Sequence, residues 1–178
     1  MKRKLFLLLM SVSLSSSAQV KVDVKFNITT NYYTVNAPSV RAALRMASDK
    51  TKGKPSYAYT TVYSTVVANY KGGTVPVSKS FEYNAEVTLP RFGGACMTNV
   101  FFKTLVQEVT KHELEHVLIG KTNFLKKVES VGQITDYQKE AQILNTLENE
   151  HQKAQRGFDK KDYVRFHGIY MDAYKNDR

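Results

Sequence analysis

Residues 81–119 read FEYNAEVTLPRFGGACMTNVFFKTLVQEVTKHELEHVLI, and the hydrophobic period changes inside that stretch. Phe81, Tyr83, Ala85, Val87 and Leu89 alternate with Glu82, Asn84, Glu86 and Thr88, which predicts a strand with one buried face. Pro90 is expected to end it, and residues 91–95 to form a glycine-containing loop. Then Leu105, Val109, His112, His116 and Ile119 recur at intervals of four, three, four and three. That is one stripe of an amphipathic helix from about Thr98 to Ile119, which Gly120 is placed to end or bend. Upstream, Val20, Val22, Val24, Phe26 and Ile28 alternate with polar residues and predict a half-buried strand. Asn36-Ala37-Pro38 opens a helix with Val40, Ala43, Leu44 and Ala47 on its apolar face. Tyr57 to Tyr70 has strand composition, and Lys71-Gly72-Gly73-Thr74 is a turn. Downstream, a second long helix fits Asp136 to Arg156, with Thr135 and Gln138 resembling a capping box. A last helix fits Val164 to Tyr174. Strands first and helices last predict an α+β domain whose N-terminal sheet is mostly antiparallel.

The chain has 178 residues, 42 % hydrophobic and 24 % charged, which suits one folded domain with a core. A disordered tail, a multi-domain assembly and a membrane channel are excluded. The single cysteine, Cys96, rules out an intrachain disulfide. The opening MKRKLFLLLMSVSLSSSA has a basic start, a short apolar run and small residues at 16 and 18. It reads as a signal peptide over residues 1–18, cleaved after Ala18, with a single domain over 19–178. No cysteine follows for a lipid anchor, and no transmembrane segment is expected once the signal is removed. The expected location is exported, periplasmic or secreted. The net charge of +10 would fall to +7 in a mature chain of 160 residues. Such a surface suits lipid head groups, cell-wall polymers or acidic proteins without choosing among them. Nucleic acid is not expected, since no basic–aromatic binding motif appears.

Residues 112–116 read His-Glu-Leu-Glu-His. On a helix, His112 and His116 lie one turn apart on one face, where two imidazoles can hold one Zn²⁺ at about 2.0–2.1 Å. Glu113 is rotated by about 100° from His112 and can deprotonate a metal-activated water. Glu115 points elsewhere. Catalytic zinc commonly takes a third protein ligand and a water. The pattern that places a third histidine six residues after the second is excluded, because Thr122 stands there and Ile119 replaces the required glycine. His167, His151, Glu148 and Glu150 remain as candidates.

Lys111-His-Glu-Leu-Glu-His-Val-Leu-Ile, together with Gln155-Arg-Gly-Phe-Asp, Phe166-His167-Gly168 and Thr88-Leu89-Pro90-Arg91-Phe92, resembles a bacterial family of secreted proteins. This is the domain of unknown function family 922, whose members are expected to be zinc-dependent proteases. The resemblance implies a zincin-like domain with His112, His116 and His167 as metal ligands. In the family a tyrosine–aspartate pair precedes the His-Gly element by a short spacer, which Phe158-Asp159 matches only with an insertion and Asp162 only without its aromatic partner. Asp159 and Asp162 are therefore the candidates to hold the far nitrogen of His167. The function implied is hydrolysis of peptide bonds in a peptide or protein substrate, with Glu113 as the base. Tyr163, Tyr170 and Tyr174 are near enough in sequence to serve an oxyanion. The strand 81–89, if it is a sheet edge, would pair with an extended substrate. Competing readings are a cell-wall endopeptidase or amidase with the same chemistry, an envelope binding module with a structural zinc, and a metal-free basic scaffold. Cys96 beside Gly93-Gly94 reads as a small buried residue rather than a ligand.

Overall fold

A computed structural model describes residues 19–51 and 57–177. The expected signal peptide, residues 1–18, lies outside them. The elements are β1 (Lys21–Asn36), α1 (Val40–Lys50), β2 (Tyr59–Tyr70), β3 (Pro76–Gly93), α2 (Val100–Val131) and α3 (Tyr137–Lys175), with a short 3-10 turn at Ala95–Thr98 before α2. The architecture is α+β, with one sheet followed by a helical hairpin.

The sheet order is β1-β3-β2, with β1 parallel and β2 antiparallel to β3. The sheet is therefore mixed, not mostly antiparallel. The chain passes from β1 to β2 through α1, which makes room for the parallel pairing of β1 with β3. β3 is the central strand, so the residues 81–89 offer no free edge. The alternation in β3 sets the sides. Phe81, Tyr83, Ala85, Val87 and Leu89 are buried, facing Phe102, Leu105, Val109, Val117 and Phe124 of α2 in one core. β3 runs on through Pro90 to Gly93. Proline is tolerated there because β2 begins opposite Thr88 and only β1 flanks Pro90. β1 carries its apolar residues toward the helical side, as its register with β3 requires. Val24, Phe26, Ile28 and Tyr32 nonetheless stay exposed, because the helices pack over β2 and β3.

α2 does not stop at Gly120. A Cβ there would lie 2.6 Å from Val62 Cγ1 and 2.9 Å from the Tyr83 hydroxyl. The glycine lets the helix press onto the sheet, and the Tyr83 hydroxyl donates to the Val117 carbonyl at 2.7 Å. The expected pair of C-terminal helices is one helix, α3, about 58 Å long at 1.5 Å per residue. Its N-cap is Asp136, whose carboxylate accepts from the Gln138 and Lys139 amides, and not Thr135. Gly157 costs about 1 kcal/mol inside a helix. Aromatic packing of Phe158 and Phe166 on α2 offsets it. The far end of α3 closes the fold. The Asp177 carboxylate accepts from the Val40 and Arg41 amides at 2.7 and 2.9 Å, and Asn99 Nδ2 donates to the Ala173 and Asn176 carbonyls. No helix among the described residues is long and apolar enough to cross a membrane.

Candidate metal centre

α2 and α3 run antiparallel, and the helical period lines up their facing residues. On α2 these are His112 and His116. On α3 they are His151, Gln155, Asp159, Asp162 and Phe166, at intervals of four, four, three and four. His112 and His116 are largely buried, their rings 4.6 Å apart and perpendicular. Their Nε2 atoms are 3.0 Å apart. Asp159 Oδ1 lies 3.2 Å from one and 2.9 Å from the other. The side chain of Asp159 is half exposed and forms the solvent side of the group.

The outer nitrogens fix what those inner atoms are. His112 Nδ1 faces Asp162 Oδ2 at 3.0 Å, and Arg165 donates to the same oxygen at 3.1 Å. His116 Nδ1 faces the Gln155 side-chain oxygen, while the Gln155 amide donates to the His116 carbonyl at 3.3 Å. Both Nδ1 atoms thus face acceptors, which suits the tautomer with a proton on Nδ1 and a lone pair on Nε2. Both Nε2 atoms then present lone pairs, toward each other and toward a carboxylate oxygen. Three electron-pair donors with no positive charge among them are mutually repulsive in a partly buried site. A cation at their centre resolves this, and two imidazoles with one carboxylate are a donor set that suits zinc. Phe158 stacks on His112 with centroids 4.7 Å apart, and Phe166 meets it edge-on, so the ring cannot swing away.

Glu113 stands beside the pair but does not face α3. It is 6 % exposed, and Thr60 of β2 donates to its Oε2 or its own carbonyl from 2.8 and 2.9 Å. Burial pushes its carboxyl above the ordinary value, and the Thr60 hydrogen bond only partly opposes that. Glu113, His112, His116 and Asp159 line one cavity of about 560 Å³, walled on the far side by residues 58–60 and Val62 of β2.

The expected ligand His167 is not part of this group. It lies eight residues beyond Asp159, on the exposed flank of α3, with its ring stacked on Tyr163 at 6.3 Å. Asp159 is the third possible donor beside the pair, and Asp162 faces His112 Nδ1 rather than His167. The helix explains the correction: positions 155, 159 and 162 share the stripe facing α2, and 167 does not. Of the other candidates, Glu148 is paired with Lys127 at 2.7 Å, and Glu150 is exposed. His151 is buried in the cavity wall, and burial lowers its pKa. Tyr163 lines the cavity, whereas Tyr170 and Tyr174 stack on each other and Arg41 covers Tyr174. Cys96 is buried against the Gly93 carbonyl, and burial raises its thiol pKa. Thr60 and Gln155 were not among the sequence candidates. Gln155 was legible in the spacing 151, 155, 159, but Thr60 had no local signal.

The arrangement defines a class: an α+β domain carrying a His-His-Asp donor group between two helices, with a buried glutamate beside it. The family described as bacterial protein of unknown function (DUF922) matches residues 30–168, and the chain belongs to that family. No curated protein and no solved structure matches the chain.

Proposed function

We propose that the chain is an exported, zinc-dependent hydrolase with zincin-like chemistry, and that its substrates are peptides or proteins. One observation carries the reading. Three lone-pair donors converge on one point, and beside them lies a buried glutamate that no cation neutralises. His112, His116 and Asp159 would hold the ion. When bound, zinc acidifies water and polarises a carbonyl. Glu113 accepts the proton of the attacking water and returns it to the leaving amine. Thr60 fixes its orientation. Asp162, anchored by Arg165, and Gln155 keep both rings in the binding tautomer.

The substrate strand is assigned to β2. Among the described residues β2 pairs with β3 alone, and it walls the cavity opposite the donors. An extended peptide added along it would bring successive carbonyls past the site. The test is Glu113→Gln in the zinc-loaded protein, assayed on casein and on purified cell wall in parallel. The expected outcome is unchanged zinc content with turnover lowered by about 10³-fold. Casein cleavage supports the peptidase reading, and cleavage of cell wall alone moves the assignment to a wall hydrolase. Full activity in the variant overturns the role of Glu113.

A further inference from the structure

β1 is the other rim of the sheet. Among the described residues it pairs with β3 alone, so one side of its backbone is open along its length. Sheet rims are ordinarily blunted by a proline, a bulge or a charge on the inward face. β1 has none of these. Its sequence, KVDVKFNITTNYYTVN, holds no proline or glycine, and its register with β3 runs without a shift from Lys21 to Asn36. Its inward face is apolar from Val22 to Ile28, yet Val24, Phe26 and Ile28 are 39–51 % exposed. The exposed patch continues onto α2. Phe26 meets Phe124 at 5.3 Å, and the Lys121 ammonium lies 5.4 Å from the Phe26 ring, so the flank of α2 that carries Lys121 turns toward β1. Leu114, Leu118 and Leu125 share that flank by the helical period and are also exposed.

We infer that β1 is covered by β1 of a second copy, the two strands pairing antiparallel about a two-fold axis at Val24. A second copy brings an edge of the same length and an apolar face of the same width, as a self-complementary contact requires. Charge fixes the register. On the outward face of β1, Lys25 meets no carboxylate among the described residues, and Asp23 meets only Lys21, at 3.8 Å. With the axis at Val24, Lys25 of each copy stands opposite Asp23 of the other, Phe26 stands opposite Val22, and Val24 meets itself. A two-fold at Phe26 gives similar apolar overlap but sets neither charge against its opposite. A two-fold at Val22 matches charges but leaves Phe26 past the end of the ladder. The ladder runs over residues 21–27, because both backbone groups of Val20 are taken by Gln133, at 3.1 and 3.0 Å. The joined sheet has the order β2-β3-β1-β1-β3-β2, with β2 at both rims. Both candidate metal centres and both β2 edges stay open, so the inference stands apart from the hydrolase reading and does not need it.

The test is analytical ultracentrifugation of the chain purified from an exporting host. The wild type is expected to sediment as a dimer at about 0.1 mM, and Asp23→Lys to weaken the dimer by about tenfold. Lys25→Asp added to Asp23→Lys is expected to restore it, since the swap keeps unlike charges opposed. Asp23 and Lys25 are both exposed, so the fold does not depend on either. Val24→Cys is expected to cross-link under mild oxidation, because directly opposed residues in an antiparallel pair have Cα atoms about 4.5–5.5 Å apart, within reach of a disulfide. Cys96 is buried and gives no such product. A wild type that is monomeric at that concentration overturns the inference and gives the face to another kind of partner. A dimer that Asp23→Lys does not weaken, that the charge swap does not restore, or in which Val24→Cys stays uncross-linked overturns the pairing at Val24. None of these readouts involves zinc or turnover, so failure here leaves the proposed activity as it stands.

Discussion

The two ends of the seam between α2 and α3 are both polar and both largely buried, yet they balance their charges differently. At the end near the helix connection, two buried lysines each meet a carboxylate. Lys79, fully buried, meets Glu140 at 2.6 Å and the Val131 carbonyl at 2.8 Å, and Lys127 meets Glu148. At the other end, Arg165 serves Glu108 and Asp162, whereas among the described residues no lysine or arginine pairs with Asp159, which meets only the two imidazoles. The first end is complete as folded and works as a structural clamp. The second has no such lysine or arginine on Asp159, which fits the cation site proposed there. A census of polar residues would rank the two alike, whereas the charge balance separates them.

The comparison breaks most sharply on Asp159. Asp159→Ala is expected to abolish stable zinc retention after dialysis, read by metal analysis, whereas His167→Ala keeps it. The reverse result restores the histidine as third ligand. At the clamped end, Lys79→Met leaves the Glu140 carboxylate and the Val131 carbonyl without their cation. It is expected to destabilise the fold by about 3–5 kcal/mol in urea unfolding, and Lys79→Met with Glu140→Leu to recover most of that. Asp162→Ala frees the outer nitrogen of His112. Zinc affinity in a competition titration is expected to fall by about 10–100-fold while the fold is kept.

The smallest effect concerns Glu148. The Gln152 amide first, and the Lys127 ammonium second, hold its carboxyl below the ordinary 4.5. A depressed carboxyl contributes stability above its unfolded-state pKa and loses it as pH falls through the folded value. Glu148→Gln is therefore expected to make the acid limb of the stability profile slightly shallower, the side chain being nearly half exposed. A steeper limb reverses the sign of this coupling.

The parts of this molecule that were legible in the sequence are those written in short periods. Alternation in 81–89 located the buried face of β3, and the spacing of His112 and His116 put two imidazoles on one face of α2. What failed depended on distant partners. Gly120 reads as a helix stop until Val62 and Tyr83 are seen pressing on it. Gly157 divides α3 on paper, and that division hid the stripe through 151, 155 and 159 that carries the third possible donor. β1 reads as half-buried because its alternation is regular, but how far a helix reaches over a strand is a matter of packing. Strand order was likewise beyond local reading, so the edge facing the site was sought in β3 and lies in β2.

The tie between Asp177 and the amides of Val40 and Arg41 spans nearly the entire described chain. The first helix is capped by Ser39 and, in addition, by Asp177 just beyond the end of α3, and positions 112 and 159 fall between those endpoints in sequence. A chain cut before Asp177 therefore loses the contact that ties the end of α3 to α1, and the side chains proposed to hold a metal ion would be less firmly spaced.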